Sequence, residues 1–113
     1  MKLDKEDVDK LLNWLESTRG KRISIHESLS RARQLGHDRH FTTDSAFTLT
    51  VSNFSGINSE SQINLEQDQD FSYAIAADVI SDFKIEDSSK KLIINEHFEQ
   101  ETERRTTIRI LES

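Results

Sequence analysis

The spacing of hydrophobic residues changes along the chain, from a helical repeat near the start to an extended repeat later. At the start, the i, i+3, i+4, i+7 spacing of one helix face joins Val8, Leu11, Leu12 and Leu15. Asp4 precedes this stripe as an N-cap, and Gly20 follows it as a stop signal. The pattern predicts a helix over about residues 4–17.

The next segment has two interpretations. Ser24 and Glu27 have the spacing of a capping box, and Ile25 and Leu29 then share one helix face before Gly36. These signals predict a second helix over about residues 24–35. The alternative is a strand, because Ile23, Ile25 and Leu29 also fit an alternating pattern.

From Ser45 onward the hydrophobic period is two, which is typical of half-buried strands. The strands predicted from this alternation cover residues 47–51, 63–65, 92–98 and 106–111. A turn is predicted at 87–90, and a charged loop at 99–105 joins the last two strands.

One alternating run, from Phe71 to Ile85, is too long for a single straight strand. At roughly 3.3 Å per residue it would extend about 50 Å. A domain of this length has a radius of gyration near 13 Å, so we expect the run to bend or break. The small residues at 76–78, or Ser81, are the expected positions of that break.

This order of elements predicts an α+β fold, with an N-terminal helix pair packed on an antiparallel sheet of about 4–6 strands. The chain has 113 residues, and we interpret residues 1–113 as a single domain. Without cysteine, a disulfide scaffold and a thiolate metal site are excluded. Neither a membrane helix nor a signal-peptide core is evident, so no membrane association and a cytoplasmic location are expected.

Charge is distributed unevenly within a formal net charge of -6. Residues 1–53 hold nine Lys and Arg against eight Asp and Glu, whereas residues 54–113 hold six against thirteen. Two triads there have a spacing of two: Glu66, Asp68 and Asp70, and Glu99, Glu101 and Glu103. In extended chain each triad would form a row of carboxylates on one side. Such rows protect a solvated sheet edge, or they face a basic protein partner.

A basic stretch at 19–40 suggests a second type of partner. In a helix pair, Arg22, Arg31, Arg33 and Arg39 would form a surface for nucleic acid. The alternative is a solvated face with internal ion pairs. Nucleic acid is the less favoured partner, because a pI of about 5.2 opposes phosphate binding at long range.

Evidence for catalysis or a cofactor is weak in this sequence. His37, Asp38 and His40, with the distant His97, form the one cluster that resembles a metal site, but it follows Gly36 in a predicted loop. No serine lies in a Gly-x-Ser-x-Gly elbow, and the glycines are too dispersed for a phosphate loop. We therefore predict no cofactor, no metal and no enzymatic activity.

Trp14 lies beside the apolar stripe of the first helix, where it either anchors an interface or closes the core. The resulting hypothesis is a small acidic binding protein without catalytic activity. It would dock on a basic protein and inhibit or neutralise it, as inhibitors, immunity proteins and antitoxins do. The alternatives are a nucleic-acid-binding regulator that uses residues 19–40, an accessory subunit of a larger assembly, and a homodimer.

Overall fold

The computed structural model of the protein describes residues 3–32, 40–99 and 102–111. Its elements, in chain order, are α1 (Lys5–Glu16), β1 (Arg22–Ala32), β2 (His40–Thr50), β3 (Asn53–Ser55), β4 (Gln62–Glu66), β5 (Ser72–Ala76), a 3-10 turn (Ala77–Val79), β6 (Ile80–Glu86), β7 (Lys91–Phe98) and β8 (Thr102–Ile110). The strands form two antiparallel sheets with the orders β2-β1-β8-β7-β6 and β3-β4-β5. The α+β prediction with an antiparallel sheet is confirmed.

The first predicted helix is confirmed as α1. Asp4 caps it, since an Asp4 side-chain oxygen accepts a hydrogen bond from the Asp7 backbone N–H at 2.8 Å. The helix buries Leu11, Trp14 and Leu15 against the sheets. Gly20 follows at φ 82°, a conformation that glycine adopts readily, and the chain turns there into β1.

The second predicted helix is wrong, because residues 22–32 form β1 within the five-stranded sheet. β1 pairs with β2 on one side and with β8 on the other. Its alternating face buries Ile23 and Ile25 completely, whereas a helix would have left the backbone of both neighbours unpaired. A capping box stabilises a helix end by about 1 kcal/mol, which is less than two strand ladders provide. Only one α-helix lies within the described residues, so the helix pair is replaced by a single helix.

The long alternating run breaks where small residues interrupt it. β5 ends at Ala76, the 3-10 turn follows, and β6 begins at Ile80. A second irregularity occurs at Ser81, the other expected position. The register of β6 against β7 shifts between Ile80 and Asp82, so Ser81 forms a bulge. The break places β5 in the small sheet and β6 in the large one.

Two strands begin well before their predicted starts, and one strand was not predicted. β2 begins at His40, earlier than residue 47, and β3 was not predicted. β8 begins at Thr102, so most of the loop predicted at 99–105 is strand. Polar residues that pair with a neighbouring strand give no hydrophobic alternation, and the pattern therefore underestimates the length of such strands.

The hydrophobic core lies between the two sheets and α1. Fully buried side chains come from both sheets and the helix: Leu11, Leu15, Ile23, Ile25, Leu49, Ile63, Leu65, Ile75, Ile80, Leu92, Ile94 and Ile108. We call the face of the large sheet toward this core its inner face and the opposite, polar face its outer face. In the described part of the chain, no helix has the length and apolar character needed to span a membrane.

Candidate functional site

The first carboxylate triad does not form a row. Glu66 ends β4, and its Oε1 accepts a hydrogen bond from Asn53 Nδ2 at 2.9 Å. Asp68 closes the loop after β4, because its Oδ1 accepts from the backbone N–H groups of Asp70 and Phe71, both at 2.9 Å. The expected extended conformation is therefore wrong here, although Asp68 and Asp70 remain exposed to solvent.

The second triad lies where the antiparallel strands β7 and β8 approach each other. Glu99 follows β7 in the turn, Glu101 lies outside the described residues, and Glu103 is on β8. The Glu103 side chain is 65% exposed, and its Oε1 is 3.2 Å from Nδ1 of His97. Because β7 and β8 are antiparallel, Glu99 and Glu103 do not lie along one straight strand. Glu99 and Glu103 nevertheless face solvent at one end of the large sheet.

Trp14 is part of the core of this chain. It is 7% exposed, and its Nε1 donates a hydrogen bond to the Ser89 carbonyl oxygen at 2.8 Å. This bond satisfies the polar atom of the indole and joins α1 to the turn between β6 and β7. Packing therefore accounts for the position of Trp14.

The basic stretch at 19–40 has no helix within its described part. Arg22 and Arg31 are exposed on β1, and Arg33 and Arg39 lie outside the described residues. His37 and Asp38 of the predicted histidine cluster also lie outside them, while His97 pairs with Glu103. Among described residues, no group of three or more potential ligands is positioned to hold a metal ion.

A buried ionic cluster that the sequence analysis missed joins the two sheets. Glu96 on β7 is 1% exposed and accepts two hydrogen bonds from Arg104 on β8, from Nε and from Nη2, each at 2.7 Å. The same carboxylate accepts from the Ala76 backbone N–H at 2.8 Å. Arg104 Nη2 also donates to the Ala74 carbonyl oxygen at 2.9 Å, so both groups hold β5 against the large sheet.

Glu27 and Tyr73 extend this cluster toward β1. Glu27 Oε2 lies 3.3 Å from Arg104 Nη1 and accepts a hydrogen bond from the Tyr73 hydroxyl at 3.2 Å. The hydroxyl also bonds Thr106 Oγ1 at 2.6 Å. The Arg104 guanidinium stacks over the rings of Tyr73 and Phe98, at 5.3 Å and 5.7 Å from their centroids. We call Glu27, Tyr73, Glu96, Arg104 and Thr106 the inter-sheet cluster.

Electrostatics in the inter-sheet cluster favour the charged guanidinium and the neutral phenol. Burial by itself would lower the pKa of Arg104, but the hydrogen bonds and charge of Glu96 outweigh it and raise that pKa. Burial raises the pKa of Tyr73, against the opposite effect of its hydrogen bond with Thr106. No buried side-chain nitrogen or oxygen among the described residues lacks a hydrogen-bond partner. The cluster is therefore suited to holding the sheets together.

The sequence did contain a signal for this cluster. On β7, Glu96 lies on the same face of the strand as Leu92 and Ile94. On β8, Arg104 lies on the same face as Ile108. A charged residue at a core position of an alternating strand implies a buried partner. Arg104 was missed because it fell in the predicted loop at 99–105.

A groove between α1 and β6 forms an open concave surface of the described residues. It encloses about 710 Å³, and its lining residues are Leu3, Asp7, Lys10, Ser81, Asp82, Phe83, Ile85 and Ser89. Three of these, Leu3, Phe83 and Ile85, are half-buried apolar side chains that pack against the core. We call this surface the α1–β6 groove.

Carboxylates outnumber cations around the α1–β6 groove. Asp7 and Asp82 line it with one cation, Lys10, and Asp82 Oδ1 accepts a hydrogen bond from the neutral Asn95 Nδ2 at 2.6 Å. Glu6 and Asp9 are exposed on the same helix, and no ion pair within the described residues involves Glu6, Asp7 or Asp9. By contrast, Glu86 pairs with Lys84 and Lys91, and Asp87 pairs with Arg109.

The two features differ in their access to solvent. The inter-sheet cluster is closed and internally satisfied, whereas the α1–β6 groove is open, has an apolar floor and is bordered by carboxylates without internal counterions. An open surface with unneutralised charge can attract a partner of opposite charge. No protein-family model, curated protein or solved structure matches this chain in comparison with known proteins.

Proposed function

We propose that this protein is a small, non-catalytic binding protein that docks on a basic protein partner through the α1–β6 groove. The observation that supports the proposal is the combination of an apolar floor with carboxylates that have no internal cation. Inhibition or neutralisation of that partner is the proposed outcome of docking. The comparison with inhibitors, immunity proteins and antitoxins rests on size and charge alone.

The two parts of the groove have different roles in this proposal. Leu3, Phe83 and Ile85 offer apolar surface, and burying such surface is the main source of affinity in protein association. Lysine and arginine have apolar stems and charged ends. Their stems fit against the floor while their charged ends reach Asp7 and Asp82.

Other exposed carboxylates support the approach of a basic partner from a distance. Asp68, Asp70, Glu99 and Glu103 lie on loops and a hairpin outside the groove, and the chain has a net charge of -6. An acidic field of this kind increases the rate of association with a basic protein and weakens as salt is added. We therefore assign these residues to steering and the groove to contact.

The alternative function, a nucleic-acid-binding regulator, required a helix in the basic stretch that could enter a groove of DNA. Residues 22–32 instead form β1, which lies between β2 and β8 in the large sheet. The accessory-subunit alternative stays a prediction.

The test uses a short peptide of alternating lysine and leucine as the probe, titrated into the isotope-labelled full chain and followed by NMR. We expect shifts concentrated at α1 and β6, and binding that weakens as ionic strength rises. The variant Asp7→Asn with Asp82→Asn removes two groove carboxylates and keeps their size. We expect it to weaken binding by about tenfold, which is a loss of roughly 1.4 kcal/mol.

The matched control is Asp70→Asn with Glu99→Gln, which changes the net charge equally but outside the groove. We expect this control to lower the affinity much less than the groove variant. Equal losses in both variants would mean that the peptide senses only net charge, and the groove would not be the contact. A peptide that does not bind at low salt would reject the proposed function.

A further inference from the structure

The strand β2 forms one edge of the large sheet and is long and regular. It runs from His40 to Thr50 and pairs with β1 along its whole length without a bulge. Eleven residues at roughly 3.3 Å each give an edge about 36 Å long. A regular edge of this length is a template for pairing with another strand.

The outward backbone groups of β2 belong to its even-numbered residues. The Thr50 N–H points away from β1, because it donates to Oε1 of Gln67 at 3.1 Å. Backbone direction alternates along an antiparallel strand, so Thr42, Asp44, Ala46 and Thr48 also turn their N–H and C=O groups outward. Within the part of the chain that the structure describes, only the Thr50 group has a partner at this edge.

The opposite edge of the same sheet is protected by features that the sequence of β2 largely lacks. β6 has a bulge at Ser81, the charged residues Asp82, Lys84 and Glu86, and α1 beside it across the groove. Residues 41–50 contain no Lys, Arg, Pro or Gly, and Asp44 is their one ionisable residue. Charges, prolines and bulges usually prevent edge strands from pairing. Of these, residues 41–50 have only the charge of Asp44.

Apolar surface lies beside this edge. Phe47 on β2 is half-buried, and Phe71 packs against it edge to face with 5.5 Å between ring centroids. Phe71 is 37% exposed, although it is a large apolar side chain. Pairing along β2 would place a second polypeptide next to this aromatic pair.

We propose that the partner at β2 is a second copy of this chain, paired antiparallel about a two-fold axis so that the two large sheets form one continuous sheet. Two copies with a net charge of -6 repel each other over most of their surface, but residues 41–50 contribute a single negative charge. Within its own chain, Asp44 Oδ1 also lies 3.8 Å from Nε2 of His26. The strand itself therefore adds little charge repulsion to self-association, and the exposed carboxylates of Asp68 and Asp70 lie in the loop that contacts β2 through Gln67 and Phe71.

The charges also exclude one register, and the Gln67 contact limits the others. An axis through Asp44 would place the two Asp44 carboxylates directly opposite each other, which is unfavourable. An axis through Ser45 pairs Asp44 with Ala46 and Thr42 with Thr48, and these pairs use only outward groups that Gln67 does not occupy. We therefore place the axis at Ser45.

The first experiment measures the mass of the full chain by sedimentation equilibrium over a range of concentrations. We expect the unmodified protein to form a dimer of twice 13.1 kDa. Ala46→Pro removes an outward N–H without removing a donor to β1, so it should shift the population to the monomer while circular dichroism shows a folded chain. The matched control Ala46→Thr keeps the N–H and should remain dimeric. A monomeric unmodified protein, or a dimeric proline variant, would overturn the proposal.

The second experiment tests the register, and the absence of cysteine from the chain makes it specific. In the proposed dimer the two Ser45 residues form a pair without hydrogen bonds, with Cα atoms about 4.5 Å apart, which is within disulfide range. Ser45→Cys should therefore cross-link on mild oxidation. The control Thr48→Cys would lie about 20 Å from its twin and should not cross-link. Cross-linking of the control alone would overturn the assigned axis. Neither experiment involves the α1–β6 groove or a basic probe.

Discussion

Glu96 shows how a single buried carboxylate determines the relation between two sheets. Its side chain is fully inaccessible, and its two oxygens accept hydrogen bonds from Arg104 and from the Ala76 backbone N–H. Burying two ions away from water costs free energy. Glu96 and Arg104 offset this cost by hydrogen bonds to each other and to the backbone of β5. The pair therefore specifies where β5 lies on the large sheet.

The first prediction concerns this carboxylate. Glu96→Ala removes the acceptor and leaves the Arg104 guanidinium in a low-dielectric site without its main counterion. We expect the free energy of unfolding to fall by about 3–5 kcal/mol, measured by urea denaturation. The matched control is Glu103→Ala, because Glu103 is 65% exposed and pairs only with His97 among the described residues. The control should change stability by about 0.5 kcal/mol or less. Similar losses in both variants would show that burial does not determine the effect.

At the scale of elements, the turn between β6 and β7 stores backbone strain. Asp87, Ser88 and Ser89 have φ values of 55°, 55° and 71°, in the left-handed region that L-residues adopt at a cost. The turn is held from both sides, because Asp87 pairs with Arg109 and the Ser89 carbonyl oxygen accepts from Trp14. Ser88 lies between these two anchored neighbours.

The second prediction follows from that strain. Ser88→Gly should increase the free energy of unfolding by about 0.5–1 kcal/mol, because glycine adopts positive φ without a Cβ penalty. The measurement is urea denaturation of the full chain. The control Ser59→Gly lies in another exposed turn, and Ser59 is not among the residues with positive φ. That control should leave stability unchanged or reduce it. A stabilised Ser59→Gly with an unchanged Ser88→Gly would contradict the assignment.

β1 shows why an element can differ from its local signals. Its capping box and its i, i+4 pair of apolar residues indicate a helix, but Ser24 and Glu27 have other roles in the sheet. Glu27 faces the core side and bonds Tyr73 and Arg104, whereas Ser24 lies on the outer face between Thr48 and Arg109. Both strands that flank β1 come later in the sequence, so no local pattern contains this information.

At the scale of the whole molecule, Tyr73 relates the ionic cluster to alkaline stability. Burial raises the pKa of Tyr73 above its ordinary value of about 10, and Tyr73 is the only tyrosine in the chain. Below pH 10 the phenol is protonated in both states, and its contribution to stability is constant. Above that pH the unfolded chain loses the proton first, so it binds fewer protons than the native chain. The free energy of unfolding must then fall as pH rises.

The third prediction is that phenolate absorbance appears only when the fold is lost. In a titration above pH 10, the ultraviolet phenolate signal should rise together with the loss of the folded circular dichroism signal. The same titration in concentrated denaturant should show ordinary ionisation near pH 10. Phenolate formation near pH 10 in a chain that remains folded would show that the Tyr73 hydroxyl is accessible, contrary to its contacts with Thr106 and Glu27.

The large-scale arrangement also separates two surfaces of the same sheet. The β6 edge has α1 beside it and forms the groove proposed for a basic partner, and the β2 edge is the site proposed for a second copy. These edges lie at opposite ends of the strand order β2-β1-β8-β7-β6, so the two proposed interactions do not compete for the same residues.

The sequence by itself determined features that depend on neighbouring residues. It predicted α1 with its Asp4 cap, the alternating strands of the later part of the chain, and the break in the run from Phe71 to Ile85. Periodicity and caps act over a few residues, and small residues interrupt an extended run locally. The net negative charge, from which a basic partner is proposed, also follows directly from composition.

Only the tertiary structure decided features that join distant residues. β1 is a strand because β8 pairs with it from the other end of the chain, with Ile23 opposite Ile110. The carboxylate triads are not rows, because a loop interrupts the first and the antiparallel strands β7 and β8 divide the second. The inter-sheet cluster and the α1–β6 groove are each built from elements far apart in sequence. The energies of burial and strand pairing depend on which surfaces meet in space, and local patterns do not contain that information.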